Sequence, residues 1–398
     1  MTIIIPDSIV VHYSEIALKA GNRKDFEDAL VMNIKKSLPK SEGTLRKLYG
    51  KIIVDLKKGA GIEAIMSTLS KTPGIVNFSP CYKEELDIDK IIKKSLMILD
   101  TKKFITFKVS SKRTNKKFPL KSDDIDRLLG EKILDHYNGD SNIKGPVSVN
   151  LKNPQITVYV EISEKDSYIY VDKFLGVGGL PTGPSGRVVV SLSGGIDSPV
   201  ATCMIMRRGC RAILVHIHNN SVQGAVVKDK IISLSKIISS YQPGVNTYLY
   251  IVPFDKIQKH IIMSVDPKLR MIVYRRFMMK ILNLVAAKEH AKAVVTGDSV
   301  AQVASQTLDN LICINDASVL PVLSPLIGTN KEETVTMAKK LGTFDTSIIP
   351  GNDCCSFMIA KSPQTHASLS EIMLAEERID KKEELVQEAV KEAEVQKF

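Results

Sequence analysis

Residues 193–198 combine two glycines, two serines and an aspartate, a set of residue types that suits phosphate chemistry. The segment reads Ser193-Gly194-Gly195-Ile196-Asp197-Ser198. It follows the apolar residues 188–190, typical of a buried strand, and precedes an amphipathic pattern typical of a helix. Glycines at a strand-to-helix turn let backbone amides approach an anion, at the sheet edge where α/β proteins bind ligands. The segment therefore predicts a phosphate-binding turn.

The turn matches the SGGxDS loop of the N-type ATP pyrophosphatases. It lacks the lysine of the Walker pattern and does not fit G-x-G-x-x-G, which disfavours those two nucleotide-binding classes. Adenylation splits ATP between its α- and β-phosphates, so the leaving pyrophosphate needs amides, hydroxyls and Mg²⁺. We expect the cradle from Ser193, Gly194, Gly195 and Ser198, and the magnesium-associated carboxylate from Asp197. The alternative is an ordinary glycine-rich turn, which would not need the hydroxyls and the carboxylate together.

The composition is that of an ordinary globular protein of 398 residues, with 44% hydrophobic and 25% charged residues. No apolar run reaches the roughly 20 residues of a membrane helix, and the first residues do not resemble a signal peptide. We therefore expect a cytoplasmic protein with no membrane partner. Six cysteines are too few for a disulfide framework, and the absence of C-x-x-C gives no support for a zinc or cluster site.

Residues 101–122 concentrate part of the net charge of +11. The run holds eight basic residues and no acid, with Phe104, Phe107 and Phe118 interleaved. This composition favours nucleic-acid binding through phosphates. The alternative is a solvated edge strand protected by lysines. The basic residues are Lys102, Lys103, Lys108, Lys112, Arg113, Lys116, Lys117 and Lys121.

The order of patterns along the chain predicts several domains. Residues 1–60 and 61–172 each mix strand-like and helix-like segments, and residues 173–187 form a linker rich in glycine and proline. Strands and helices alternate over residues 188–370, which predicts a doubly wound parallel α/β sheet. Residues 371–398 carry nine acids and five bases and predict one exposed, charged helix.

Three blocks of the second half resemble the tRNA 4-thiouridine synthetase (tRNA sulfurtransferase) family. They are "LPTGPSGRVVVSLSGGIDSPVA", "YRRFMMKILNLVAAKEHAKAVVTGDSVAQVASQTLDNL" and "LPVLSPLIGTNKEETVTMAKKLGTFDTSI". In the first half, "SEIALKAGNRKDFE" is similar to the family's ferredoxin-like segment, although Ser14 stands where glycine is usual. "PGIVNFSP" and "FKVSSKRTNKKFPLKS" resemble the RNA-binding THUMP domain. The resemblance implies a PP-loop ATP pyrophosphatase domain preceded by ferredoxin-like and THUMP domains.

The resemblance also implies a two-stage reaction at uridine 8 of tRNA. ATP, with Mg²⁺, adenylates the C4 oxygen, and the sulfur of a cysteine persulfide then displaces AMP to give 4-thiouridine. The family's catalytic cysteine falls at Cys354 or Cys355, and the distance to the following "KSP" favours Cys355. Thiolate character matters for such a residue. The alternative is that both cysteines are small buried hydrophobes.

Other positions follow from the resemblance. The basic run of residues 101–122 is expected to contact the acceptor region of tRNA by charge and shape. Lys331 is a candidate for phosphate or RNA contact, or else an ordinary lysine at a helix start. The expected nucleotide contacts beyond the cradle are Ser191, Leu192, His216, Ile217, Arg275, Gly297 and Gln306.

The sequence departs from some family members. It shows no rhodanese domain, so we expect sulfur from a separate persulfide carrier, a cysteine desulfurase or sulfide. It has an adjacent cysteine pair in place of C-x-x-C, so we predict no iron–sulfur cluster. Family members are often dimers, which leaves a homodimer open. The alternatives are another THUMP-containing tRNA thiolase or adenylating PP-loop enzyme and a non-catalytic tRNA-binding protein; sulfur transfer for the thiamine thiazole is a secondary interpretation.

Overall fold

The computed structural model describes residues 4–19, 21–39, 41–139, 146–351 and 357–398. The predicted cysteine pair, Cys354 and Cys355, therefore lies outside the described residues. The chain forms two compact units, Met1–Gly179 and Leu180–Phe398. Across the described ranges, no helix has the length and apolar character needed to span a membrane.

The first unit is built on one sheet with β4 and β8 at its middle. The strand order is β2-β3-β1-β4-β8-β7-β5-β6, with β9 on β4. Pairing is antiparallel except that β5 runs parallel to β6 and β7. The strands are β1 (Ser8–His12), β2 (Gly43–Leu48), β3 (Lys51–Leu56), β4 (Asn77–Glu84), β5 (Thr106–Arg113), β6 (Ser148–Val149), β7 (Ile156–Ile162), β8 (Ser167–Tyr170) and β9 (Phe174–Leu175). The helices are α1 (Arg23–Ser37), α2 (Ile62–Lys71), α3 (Ile88–Leu99) and α4 (Ser122–Asn138).

The phenylalanines of the basic run belong to the core of this unit. Phe107 and Phe118 are buried in the cluster that α3 and α4 form over β5 and β7. Phe104 packs edge-on against Phe107 and Tyr137. These rings are therefore committed to packing and are not available at the surface for contacts with a partner.

The second unit confirms the predicted parallel sheet. Its strand order is β14-β13-β10-β11-β12-β15, and the first five strands are mutually parallel. The strands are β10 (Arg187–Ser191), β11 (Arg211–His218), β12 (Tyr248–Pro253), β13 (Val294–Val295), β14 (Val322–Leu323) and β15 (Glu394–Lys397). The helices are α5 (Asp197–Met206), α6 (Asn220–Ser239), α7 (Asp255–Ser264), α8 (Arg270–Lys288), α9 (Leu308–Asn315), α10 (Lys331–Leu341), α11 (Phe344–Ser347), α12 (Leu369–Glu377) and α13 (Lys382–Lys391).

The strand order reverses at β10, and this reversal positions the site. After β10 the chain adds β11 and β12 on one side, and β13 and β14 later join the other side. Loops leaving the carboxyl ends of β10 and β13 consequently diverge and leave a crevice between them, where open α/β sheets bind ligands. The predicted phosphate-binding turn is the loop that leaves β10.

Residues 371–398 differ from the sequence prediction of one exposed helix. They contribute most of α12, all of α13 and β15, which pairs antiparallel with β12. Leu385, Val386 and Ala389 of α13 are buried in the core over α8. The high charge of the segment concealed this apolar stripe, whose members recur with helical spacing among the acidic residues.

Candidate active site

A cavity of about 530 Å³ opens at the carboxyl ends of β10, β11 and β13. The structure brings together at this cavity every nucleotide contact expected from the sequence, together with Asp197. Those contacts are Ser191, Leu192, Ser193, Gly194, Gly195, Ser198, His216, Ile217, Arg275, Gly297 and Gln306. The crevice predicted by the strand order is therefore a real concave site.

The two serines of the turn brace its backbone. The Ser198 hydroxyl accepts a hydrogen bond from the Ser193 amide at 2.9 Å and donates to the Ser193 carbonyl at 3.1 Å. The Ser193 hydroxyl accepts from the Gly195 amide at 3.3 Å. These bonds close the turn on itself and hold its backbone in shape before a ligand arrives. Ser198 is buried, so its first role in this structure is to preorganise the turn.

Gly297 permits a close approach between the loop after β13 and the first turn of α5. A Cβ atom on Gly297 would lie 2.8 Å from the Ser198 amide nitrogen and 2.9 Å from its Cα. Both are backbone atoms, which cannot rotate away as a side chain can. A glycine at this position therefore lets the two walls of the crevice meet.

Asp197, the first residue of α5, is bound by two side chains from distant parts of the chain. Lys331 places Nζ 2.7 Å from Oδ1, and Gln302 donates from Nε2 to Oδ2 at 2.8 Å. Lys331 begins α10, where Asn330 accepts from the Glu333 amide and caps the helix. The structure thus assigns Lys331 a carboxylate partner at the cavity edge, 134 residues away in sequence.

Arg275 and Asp298 form a buried ion pair on the opposite wall. The guanidinium contacts both carboxylate oxygens of Asp298, at 2.7 and 2.8 Å. Burial alone would raise the pKa of Asp298, but Arg275 and the hydrogen bond from Gln306 hold it below its usual value. Gln306 donates from Nε2 to Asp298 Oδ1 at 2.9 Å, which leaves its buried Oε1 without a partner in the described residues. Gln306 therefore offers an acceptor.

His216 offers a second acceptor in the same cavity. Its Nδ1 lies 2.9 Å from the Leu192 carbonyl, which can only accept, so Nδ1 carries the proton. Burial lowers the pKa of His216 to about 4, and the ring is neutral at pH 7. Its Nε2 is buried and has no hydrogen-bond partner among the described side chains and backbone. Such a pair of unsatisfied acceptors at a cavity is costly unless a ligand supplies donors.

Several residues at the cavity were not anticipated as site residues from the sequence, among them Asp298, Gln302 and Lys230. Asp298 and Gln302 lie in the same block, "TGDSVAQVASQT", as the predicted site residues Gly297 and Gln306. Their position between two predicted contacts could have indicated them as site residues. Lys230 of α6 had no such signal, because it lies in an ordinary amphipathic helix and reaches the cavity only through the fold.

The cysteines that the structure describes are poorly suited to sulfur chemistry. They are all buried, and burial raises the pKa of each thiol, to about 12 for Cys203. A raised pKa suppresses the thiolate that persulfide chemistry needs. The described cysteines are Cys81, Cys203, Cys210 and Cys313.

The basic run of the first unit is mostly presented to solvent. Arg113 is an exception, since its Nη1 donates to the carbonyls of Phe118 and Leu120 at 2.7 and 2.9 Å. Lys102 pairs with Asp172 at 2.6 Å. The other six have no carboxylate partner within the described ranges and are exposed or half-buried; they are Lys103, Lys108, Lys112, Lys116, Lys117 and Lys121.

Comparison with known families gives matches along most of the chain. The family described as Thiamine biosynthesis protein (ThiI) matches residues 183–381. The ThiI ferredoxin-like domain matches residues 8–79, and the THUMP domain matches residues 84–172.

Individual proteins extend these matches to full length. A probable tRNA sulfurtransferase of Acetivibrio thermocellus is 41% identical over 393 residues, which cover 97% of each chain. The corresponding protein of Staphylococcus epidermidis is 36% identical over 98% of this chain and 93% of its own. A crystal structure of a 4-thiouridine synthetase–RNA complex with bound ATP is 31% identical, with a TM-score of 0.88 over 99% of this chain and 100% of that chain.

Proposed function

The chain belongs to the family described as Thiamine biosynthesis protein (ThiI), and on that premise we propose that it is an ATP-dependent tRNA sulfurtransferase that converts uridine 8 of tRNA to 4-thiouridine. One observation carries the proposal. The preorganised SGGIDS turn lines one cavity with His216 and Gln306, two residues that each carry a buried acceptor without a partner in the described residues, in a chain that aligns along its length with an ATP-bound synthetase.

ATP fits the cavity by its hydrogen-bonding groups. The acceptors His216 Nε2 and Gln306 Oε1 suit the amino group of adenine and the hydroxyls of ribose, which are donors. The turn between β10 and α5 presents backbone amides near the start of a helix, which suits phosphate oxygens. Base and phosphates would therefore occupy different walls of the same crevice.

Asp197 is the residue that would hold Mg²⁺. Magnesium is usually bound through one or two carboxylates, with substrate phosphates and water completing its shell. The described residues contain no cluster of three or more histidine, cysteine, aspartate or glutamate side chains suited to a resident metal. A single carboxylate at the phosphate-binding turn fits an ion that arrives with ATP. That ion would neutralise part of the phosphate charge.

The adenylation step uses this arrangement directly. The C4 oxygen of the uracil forms a bond to the α-phosphorus of ATP as N3 loses its proton to solvent, the bond to the bridging oxygen breaks, and pyrophosphate leaves with the electron pair. The preorganised turn can stabilise the charge that develops on the leaving group. AMP then becomes the leaving group at C4.

The sulfur step is proposed for the cysteine pair that follows Gly351 in the sequence. The terminal sulfur of a persulfide on Cys355, or on Cys354, attacks C4, and the C4–oxygen bond breaks to release AMP. A second thiol then attacks the cysteine sulfur, and the S–S bond breaks with its electron pair going to the sulfur on C4. This leaves 4-thiouridine and a disulfide between the cysteine and that thiol. The burial and raised thiol pKa values of the described cysteines support this choice. A separate persulfide carrier or a cysteine desulfurase would supply the persulfide sulfur, whereas sulfide would attack C4 directly and displace AMP without a cysteine persulfide.

Binding of tRNA is proposed for the first unit. Its THUMP match and the exposed lysines of residues 101–122 support contacts to the phosphates of the acceptor region. Because their interleaved phenylalanines are in the core, the contacts would be electrostatic and would read shape, with no stacking on these rings.

The position of the modified base is tested with transcripts. Wild-type protein is incubated with ATP, Mg²⁺, sulfide and tRNA that carries either uridine or cytidine at position 8. Nuclease fragments are then analysed by mass spectrometry. We expect 4-thiouridine at position 8 of the first transcript and no thiolated uridine in the second. Thiolation at another uridine of the second transcript would overturn the assignment to position 8.

A further inference from the structure

Lys230 is a nearly buried cation at the phosphate-binding turn. Only 8% of the residue is exposed. Its Cε and Nζ atoms lie 3.4 and 3.5 Å from the position that a Cβ would occupy on Gly194. The side chain thus runs along the second residue of SGGIDS and lines the cavity beside it.

The ammonium of Lys230 has no carboxylate partner among the described residues. It donates to the carbonyl of Ile349 at 2.7 Å, which uses one of its three protons. Lys331 differs, because it is paired with Asp197. Burial lowers the pKa of Lys230, as expected for a cation without an anion beside it. Of the two lysines at this turn, Lys230 is the one whose charge remains to be balanced.

We propose that Lys230 binds the β- and γ-phosphates of ATP and stabilises the pyrophosphate as it leaves. This assignment rests on the proposed function, because it places ATP in this cavity. The turn lacks the lysine that Walker loops carry within the loop itself, and α6 supplies an equivalent cation from outside the turn. As the bond between the α-phosphorus and the bridging oxygen breaks, the oxygen gains negative charge. The Lys230 ammonium faces that charge.

Gly194 has a defined part in this arrangement. A Cβ atom at position 194 would already be in van der Waals contact with the Lys230 side chain, at 3.4–3.6 Å. Any side chain larger than alanine would therefore push the lysine away. Glycine at 194 therefore leaves the space through which the ammonium reaches the phosphates.

The test compares two nucleotides that differ in the phosphates concerned. Binding of ATP and of AMP, each with Mg²⁺, is measured by calorimetry for wild type, Lys230→Met, Lys230→Arg and Lys236→Met. Lys236 is an exposed lysine of the same helix and serves as the matched control. Because hydrogen bonds to charged groups are strong, we expect Lys230→Met to weaken ATP binding about 10- to 100-fold. AMP binding should change little, and Lys230→Arg, which keeps the cation, should bind ATP more tightly than Lys230→Met.

Two results would overturn the assignment. If Lys230→Met binds ATP as wild type does, the ammonium does not contact the phosphates. If ATP and AMP binding weaken equally, the lysine only anchors Ile349. Thiolation of tRNA is measured with the same wild-type preparation, so that a wrong role for Lys230 can be distinguished from a wrong proposed function. If 4-thiouridine forms but the ratio of ATP to AMP affinity is unchanged in Lys230→Met, only the role of Lys230 is refuted.

Discussion

Gly297→Ala should disturb the phosphate-binding turn without adding or removing any polar group. The new Cβ would lie 2.8 Å from the Ser198 amide nitrogen, where ordinary contact begins at 3.4 Å, so one wall must move by about 0.6 Å. Overpacking of this kind costs about 1–3 kcal/mol of folding stability. Displaced amides also weaken hydrogen bonds to phosphate, each worth about 1.5–3 kcal/mol, so we expect ATP to bind at least about tenfold more weakly.

Calorimetric titration with ATP, together with urea unfolding, measures both effects. Gly328→Ala is the matched control, because nothing lies within 4 Å of the position that its Cβ would take. We expect that variant to bind ATP as wild type does. If Gly297→Ala also keeps wild-type ATP affinity and stability, the close approach of the loop after β13 to α5 does not hold the phosphate-binding turn in shape, which contradicts this prediction.

Three further predictions concern charged groups. Asp298→Asn leaves Arg275 buried without its carboxylate and should cost about 3–5 kcal/mol of unfolding free energy, measured by urea titration; an unchanged midpoint would contradict this. His12 and Lys51 hold the pKa of Glu161 well below its usual value despite its burial. The ionised carboxylate therefore stabilises the fold above about pH 4.5, and this contribution is lost as the pH falls further. Glu161→Gln should flatten that part of the profile of unfolding free energy against pH. Lys112→Ala or Lys116→Ala should each reduce the salt slope of tRNA binding by about one, and an unchanged slope would exclude phosphate contact.

Glu161 is paired within a buried group of the first unit. Its carboxylate contacts Lys51 Nζ at 2.5 Å and His12 Nε2 at 2.7 Å, and it accepts from the Tyr170 hydroxyl at 2.7 Å. Residues 12 and 51 lie in the ferredoxin-like match and residues 161 and 170 in the THUMP match. The cluster therefore ties the two domains into one sheet, which is why its protonation should affect the stability of the whole unit.

The sequence predicted the phosphate-binding turn because its chemistry is local. SGGIDS follows a valine strand and precedes a helix, and that order alone sets the turn at the carboxyl edge of the sheet. Arg275 and Gln306 were expected through resemblance, yet their shared partner Asp298 was not, because a buried carboxylate leaves no periodic signal. Lys230 could not be predicted, since only the packing of α6 against the turn brings it to the cavity.

Two other differences also have a physical origin. Composition alone cannot tell whether a phenylalanine in a basic run faces solvent or core, and period-2 alternation along β5 places Phe107 inside while its neighbours Thr106 and Lys108 are partly exposed. In the last 28 residues, strand β15 completes the sheet by pairing with β12. An edge strand of three polar residues and one valine carries too weak a pattern to be distinguished from a helix tail.

Sulfurtransferase activity is measured most directly by nucleoside mass spectrometry of tRNA incubated with the protein, ATP, Mg²⁺ and a sulfur donor. We expect 4-thiouridine with wild type, and none with Asp197→Ala. With a persulfide donor, one of Cys354→Ser and Cys355→Ser should abolish the product, and the position favoured by the sequence is Cys355. If tRNA binds and no thiolated base forms with sulfide or with any persulfide donor, the assignment as a sulfurtransferase is contradicted.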